Sequence, residues 1–150
     1  MDLILWRHAD AEDGADDLRR ELTAKGRKQA ARVAQWLLQH LPEDFEVVAS
    51  PAARAVQTAE ALAKKFKTEK QLAPGAPVPA ILKAAGWPGG KSKRTVVVVG
   101  HQPDLGRAAA QLLAGRQAGW HIKKGGLWWL SNSDGDELIV KAVLSPDLLQ

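Results

Sequence analysis

Apolar residues recur along this chain in two distinct rhythms. Residues 3–6 (Leu3, Ile4, Leu5, Trp6) and 95–99 (Thr95 and four valines) are short runs with no polar side, ended by Arg7-His8 and Gly100-His101. Runs of this length fit central strands of a parallel sheet covered by helices on both faces. A third run, 45–49, ends at Ser50-Pro51. Helical spacing governs residues 24–40, where Ala30, Val33, Ala34 and Leu37, with Leu41 beyond, fall three or four residues apart and Lys25, Lys28, Arg32, Gln35 and Gln39 form the opposite stripe. Thr23 is the expected N-cap. A second helix is predicted to open with Ser50 as N-cap and Pro51 at its first helical position, running through Ala55, Ala59, Leu62 and Phe66. A further helix is expected over 105–113.

Residues 67–80 carry Pro74, Pro77 and Pro79 and read as a surface connection, too short to separate domains. Near the end, apolar runs at 127–130 and 137–144 flank Ser133-Asp134-Gly135-Asp136, a turn signal that predicts a terminal antiparallel hairpin at or beside the sheet edge. This order of elements predicts an α/β fold, a three-layer α/β/α sandwich around a mostly parallel sheet. With 150 residues, 45% of them hydrophobic, the chain can bury one sizeable core, so residues 1–150 are read as a single domain.

Composition narrows the chemistry. Cysteine is absent, which removes disulfides, thiolate zinc sites and cysteine nucleophiles and is compatible with a reducing compartment; tyrosine is absent too. A covalent nucleophile has to be Ser, Thr, Lys, Asp, Glu or one of four histidines, His8, His40, His101 and His121. The 21 Lys+Arg against 17 Asp+Glu leave a formal charge of +4, enough for an anionic ligand without a nucleic-acid track. Asp2 near the start, no leader-like region and no apolar run near the ~18 residues of a membrane span lead us to expect a soluble, cytoplasmic protein with no membrane or nucleic-acid partner.

Arg7-His8 and His101 each follow a predicted buried strand, and Arg54 lies in the first turn of the helix after the third strand. Ligands of open α/β sheets bind outside the carboxyl ends of the strands, so these loops are expected to meet in one crevice. Arginine forks match phosphate oxygens and stay charged near neutrality, and a helix N-terminus beside Arg54 favours an anion. A histidine between guanidinium groups should have a lowered pKa, leaving its lone pair free to attack phosphorus and form a phosphohistidine that water resolves. With arginines stabilising the charge, no metal and no cofactor is required. The second histidine can donate to the phosphoryl oxygens. His40 and His121 are left as structural or exposed, and Trp120, Trp128 and Trp129 receive no role, at least one of them being expected in the core.

Three segments carry a family resemblance. Leu5-Trp6-Arg7-His8-Ala9, then the segment from Ser50-Pro51 through Arg54 to Gln57-Thr58-Ala59, then Val99-Gly100-His101-Gln102-Pro103 resemble the three signatures of the histidine phosphatase superfamily, in its order. The length, the Arg20-Glu21-Leu22-Thr23-Ala24-Lys25-Gly26 segment and the lack of a large insertion are most similar to its SixA-type phosphohistidine phosphatases. The resemblance implies a phosphoglycerate mutase-like sandwich, His8 as the phosphorylated nucleophile, and Arg7, Arg54 and His101 as the groups that bind and stabilise the phosphoryl group, with Arg20 bordering the pocket. It also implies dephosphorylation of a phosphohistidine-bearing protein, such as a phosphotransfer domain, in signal transduction. Ala9 departs from the glycine common at that position.

A second departure bears on the substrate. Larger members of the superfamily supply a carboxylic acid proton donor between the second and third signatures or directly after the third, yet no Asp or Glu lies between Glu69 and Asp104 here. Asp10 is the foremost remaining candidate, beside Glu12, Asp13, Asp16, Asp17 and Asp104. An alkyl phosphate expels a strongly basic alkoxide, for which a general acid is worth about 10²–10⁴ in rate. A phosphohistidine can be protonated on its other ring nitrogen near neutral pH, an imidazole pKa being about 6.5, and leave as neutral imidazole. Two other functions stay open: a small-molecule phosphomonoesterase using the same pocket with Asp10 or a neighbour as acid, and a basic adaptor binding anionic partners through Lys64, Lys65, Lys67, Lys70, Lys91, Lys93 and Arg94. The segment from Ala85 to Ser92 loosely matches a phosphate-binding loop, but such a loop joins a strand to a following helix. Here the order is reversed, so a turn is expected.

Overall fold

The computed structural model describes residues 1–90, 92–133 and 137–149. Its elements are β1 (Asp2–Arg7), α1 (Ala24–His40), β2 (Glu46–Ala49), α2 (Ala53–Glu60), β3 (Lys67–Thr68), α3 (Val78–Ala85), β4 (Thr95–Gly100), α4 (Asp104–Ala114), β5 (Leu127–Ser131) and β6 (Ile139–Leu144). The six strands form one sheet in the order β3-β2-β4-β1-β5-β6. The first four run parallel and the last two are antiparallel. The α/β class, the mostly parallel sheet and the terminal antiparallel pair are all as expected; residues 134–136 of the predicted turn lie outside the described residues.

The both-sided apolar character of the central strands has a direct physical reading. Alternate residues of β1 enter different cores: Leu3 and Leu5 join Val96, Val98, Ile81 and Leu105 against α3 and α4, whereas Ile4 and Trp6 join Val97, Val99, Val33 and Leu37 against α1, with Ala55 and Ala59 of α2. Successive strand residues point to opposite faces, so a strand in the middle layer needs apolar side chains at every position. Trp129 is one of the buried tryptophans, while Trp120 and Trp128 pack partly buried against the α3/α4 side with their rings 5.6 Å apart.

Three expectations need correction. Ser50 is not a helix cap: its N–H donates to the Val99 carbonyl at 3.0 Å, which keeps Ser50 in the sheet, and α2 begins at Ala53. The same helix ends at Glu60 rather than running to Phe66, because Ala61 and Leu62 donate three residues back, to Thr58 and Ala59. Residues 67–80 are more than a surface connection. They contain β3, and Leu72, Ala76 and Val78 are buried in the core. The turn expected after Ala85 is present, with Gly86 closing α3 in a left-handed conformation (φ 70°).

Because β1, β2 and β4 are parallel, Arg7, Ser50 and His101 emerge at one edge of the sheet. The helix that follows the loop after β1 is α1, capped by Thr23 Oγ1, which accepts from the Gly26 N–H at 2.9 Å. Gly26 has a structural reason: a Cβ there would overlap the carbonyl oxygen of Asp10, two residues after His8. Helix propensity alone favours alanine over glycine by about 1 kcal/mol, but overpacking against a backbone atom costs about 1–3 kcal/mol. We expect Gly26→Ala to lower stability despite the propensity gain, seen as an earlier denaturation midpoint with an unchanged slope.

Candidate active site

The loop after β1 is stitched to both neighbouring strands. The His8 N–H donates to the Gly100 carbonyl at 3.0 Å, and the His8 carbonyl accepts from the Gly125 N–H at 3.0 Å. Arg7 N–H donates to Gly126. The Ala9 N–H donates to Thr58 Oγ1 at 3.1 Å, and that hydroxyl in turn donates to the Arg54 carbonyl at 2.8 Å. Thr58 lies one helical turn after Arg54, which places both on one face of α2. That spacing is legible in the sequence, although Thr58 had been given no separate role.

His8 is 8% exposed and His101 3% exposed, with ring centroids 5.1 Å apart. The Nδ1 of His8 lies 2.8 Å from the Ala9 carbonyl oxygen, an acceptor only, so Nδ1 carries the proton and Nε2 is left with its lone pair. The His101 Nε2 lies 2.7 Å from Ser50 Oγ, which also accepts from the Ala52 N–H at 3.2 Å. A hydroxyl oxygen has one proton and two lone pairs, so Ser50 can accept from Ala52 and still donate to Nε2, the arrangement that puts the His101 ring proton on Nδ1. Ser50 is thus a member of the site that sequence reasoning took for a helix cap.

Arg54, 3% exposed, comes from the first turn of α2. Its Nη1 donates to the Asp17 carbonyl at 2.6 Å and its Nη2 to Asp17 Oδ2 at 3.1 Å. Arg20 Nε reaches the other oxygen of the same carboxylate at 3.1 Å. Asp17 and Arg20 lie on an excursion between Ala11 and Leu22, which pair as an isolated bridge at its base. Arg7 Nη1 donates to the Ile122 carbonyl at 2.8 Å. Among the described residues, the buried side-chain atoms without a hydrogen-bond partner are Arg7 Nε, Arg54 Nε and His101 Nδ1. All three belong to this cluster; the two guanidinium nitrogens are N–H donors, as is His101 Nδ1 in the tautomer in which Ser50 donates to Nε2, and such donors are the complement of an oxyanion. Arg7, Arg20, Arg54, His8 and His101 are therefore brought together as the sequence suggested.

Both histidines are held neutral. His8 is pushed down from 6.5 to about 4, first by burial and then by the positive charges of Arg54, Arg7 and Arg20, against the opposing pull of the Ala9 carbonyl. His101 falls to about 3, again first by burial, with His8 and Arg54 adding to it and Asp17 opposing. The sequence argument anticipated the direction but credited the arginines, whereas loss of water contributes more.

Of the candidate carboxylates, Asp17 is bonded to the cluster through Arg54 and Arg20. Asp10 accepts from Thr23 Oγ1 at 2.7 Å and from Lys124 Nζ at 3.1 Å, bonds that hold its carboxyl below the usual range and make it a poor acid at neutral pH. Asp104 is buried and accepts from the backbone of Gly75 and Ala76 at 2.9 and 3.1 Å, tying the 67–80 segment to the start of α4. Burial is the largest single influence on the Asp17 carboxyl and raises it, but its bonds to Arg54 and Arg20 together outweigh this and lower it. Asp16 pairs with Arg19 at 3.4 Å on the surface. His40 stacks on Trp36 at 4.2 Å, away from the cluster, and His121 is exposed in the loop before β5. Of the basic residues considered for an adaptor, Arg94 pairs with Glu46 and Lys64 and Lys65 follow the far end of α2.

Comparison with known proteins agrees with this geometry. A family model described as the histidine phosphatase superfamily (branch 1) matches residues 3–75. An uncharacterised protein of Picosynechococcus sp. is 40% identical over 139 residues, covering 85% of this chain and 82% of that protein. The protein histidine phosphatase SixA, solved with tungstate, superposes with a TM-score of 0.83 at 24% identity, over 99% of both chains. A SixA-type putative phosphohistidine phosphatase from Nakamurella multipartitia gives 0.76 at 27% identity, over 97% of this chain and 95% of that one. A phosphoserine phosphatase from Entamoeba histolytica shares the fold at 17% identity, with a TM-score of 0.72 over 97% of both chains. Taken with the three segments that meet around His8, the sequence and structural likenesses establish that this chain belongs to the histidine phosphatase superfamily and is a phosphatase.

Proposed function

We propose that the chain is a phosphohistidine phosphatase that dephosphorylates a protein, with His8 as nucleophile. The observation that carries this reading is the state of the carboxylates. Asp10 and Asp17 are bonded to donors that hold their carboxyls below the usual range, and Asp104 accepts from two backbone amides, so these three are committed as acceptors while the donors of the cluster are guanidinium and imidazole groups. A leaving group that departs without a proton suits such a site.

The chemistry balances without one. In a phosphohistidine protonated on its other ring nitrogen, the lone pair of His8 Nε2 attacks phosphorus, the substrate P–N bond breaks, and the electron pair returns to the substrate ring, which leaves as neutral imidazole. His8 keeps its proton on Nδ1, bonded to the Ala9 carbonyl, and becomes the phosphorylated, protonated ring. Water then attacks phosphorus, the His8 P–N bond breaks with its electron pair returning to Nε2, and phosphate departs as H2PO4−, which carries both protons of the water. Arg7 and Arg54, with Arg20 at the rim, neutralise the phosphoryl oxygens throughout, and His101 Nδ1–H donates to one of them. On a phosphotransfer domain this reaction switches off a signal, and a cysteine-free chain suits a reducing cytoplasm.

The small-molecule reading is separated by leaving group. Rapid-quench mixing with a radiolabelled phosphohistidine protein is expected to place label on His8, with rates well above those on aryl and alkyl phosphates. His8→Ala should lower turnover by at least about a thousandfold. Label on another residue, or cleavage of esters alone, would refute the proposal.

The neutral state of the two rings is open to direct titration. At pH 5 a histidine with an ordinary pKa of about 6.5 is about 97% protonated, whereas His8 at about 4 and His101 at about 3 remain largely neutral. NMR of the ring carbons should show both titrating below pH 5. Because both folded values lie below the unfolded one, the unfolded chain binds more protons on acidification. The stability contributed is complete above about pH 6.5 and is lost as pH falls toward 4.

Ser50 acts through His101 as a positioning residue. Ser50→Ala should lower kcat about 10–100-fold, the scale of a misplaced catalytic group, with a smaller change in KM, and the ring-nitrogen shifts of His101 should show mixed tautomers. Unchanged shifts would mean that another group sets the tautomer.

A further inference from the structure

A cationic groove leads away from the site. One open cavity of about 410 Å³ is lined by Arg7 together with Lys25, His121, Lys123 and Lys124. A second, of about 390 Å³, is lined by Lys25, Lys28 and Arg32, and the two share Lys25, Gln29, Pro146 and Asp147. They adjoin through these shared residues, with Arg7 at the β1 end and the exposed stripe of α1 alongside. The floor of this trough is fixed to the nucleophile's own loop. Gln29 Oε1 accepts from the Asp10 N–H at 2.9 Å, and Gly125, which binds the His8 carbonyl, sits so close that a Cβ on it would lie 3.1 Å from Pro146 Cγ and 3.4 Å from Gln29 Cβ.

The charge of this trough is only partly compensated. Lys124 pairs with Asp10 at 3.1 Å and Lys123 with Asp147 at 3.6 Å. Lys25, Lys28 and Arg32 form no ion pair among the described residues. Their spacing of three and four puts them on one face of α1. From Lys25 to Arg32 is seven residues, roughly 10 Å of helix at 1.5 Å per residue, farther than one phosphate can bridge but matched by about three or four residues of extended chain. A ligand lying in the trough with its phosphoryl group at His8 is therefore a chain rather than a compact metabolite.

We propose that this groove docks an acidic segment of the phosphoprotein, so that Lys25, Lys28 and Arg32 determine which phosphohistidines are cleaved. The proposal rests on the phosphohistidine reading above. The attraction is long-ranged only at low salt, the Debye length being about 8 Å at physiological ionic strength.

The test uses two phosphohistidine peptides, one flanked by glutamates and one by glutamines, with an aryl phosphate alongside. The wild type should prefer the glutamate peptide in kcat/KM by about tenfold or more, within the range of electrostatic steering, and the preference should shrink as salt is raised. In the exposed double variant Lys28→Glu/Arg32→Glu the preference should vanish or invert. A control reversal, Lys64→Glu/Lys65→Glu, alters net charge equally at the far end of α2 and should retain it. If the wild type cleaves both peptides alike, or if the control loses the preference as fully, the groove is not the docking surface while the phosphohistidine activity stands. If the aryl phosphate is hydrolysed and neither peptide is, the phosphohistidine reading fails and the docking proposal falls with it.

Discussion

Electrostatic crowding is the constraint around which this site is organised. Two imidazoles lie beside the guanidinium groups of Arg7, Arg54 and Arg20, and the arrangement persists because neither ring takes a proton at neutral pH. Burial does most of this by withholding the water that would solvate an imidazolium. Asp17 supplies the local counter-charge, one carboxylate shared between Arg54 and Arg20. The same neutrality that lets the arginines coexist with the rings leaves Nε2 of His8 with a lone pair. Stability of the folded pocket and readiness for reaction thus come from one physical cause.

Much of the architecture was legible because the central strands are apolar at every position, which only a layer covered on both faces demands. β1 and β4 were read within a residue of their observed ends, and α1 fully, its two stripes and its Thr23 cap being strong local signals. β3 escaped notice because Lys67 and Thr68 are exposed and carry no apolar signature; only pairing with Val48 and Ala49 makes them a strand. Ser50 misled for a similar reason. Ser-Pro before a helical pattern is a good local cap signal, but a hydrogen bond to Val99, far along the chain, keeps Ser50 extended and frees its hydroxyl for His101.

The site was legible in its ionic members and not in its supports. Arg7, His8, Arg54 and His101 stand at recognisable positions relative to strands and helices, so their convergence followed from topology. The groups that aim them are largely main-chain carbonyls, those of Ala9, Asp17 and Ile122, and a carbonyl has no letter in a sequence. The proton-donor question also needed coordinates. Asp10 and Asp104 look alike as candidates until one is seen bonded to Thr23 and Lys124 and the other to two backbone amides.

The main-chain bonds that hold His8 divide mutational risk unevenly. Its amide and carbonyl are fastened to Gly100 and Gly125 by main-chain atoms that every residue but proline possesses, so the register of His8 is inherited from the sheet and is insensitive to most side-chain drift around it. Gly125 is an exception, since its positive φ of 72° and its closeness to Pro146 leave little room for another residue. Elsewhere the rim, the α1 stripe and the loop before β5 can vary while the reacting nitrogen stays where it is. A lineage could therefore exchange one phosphorylated substrate for another by surface substitution alone, without passing through an inactive form.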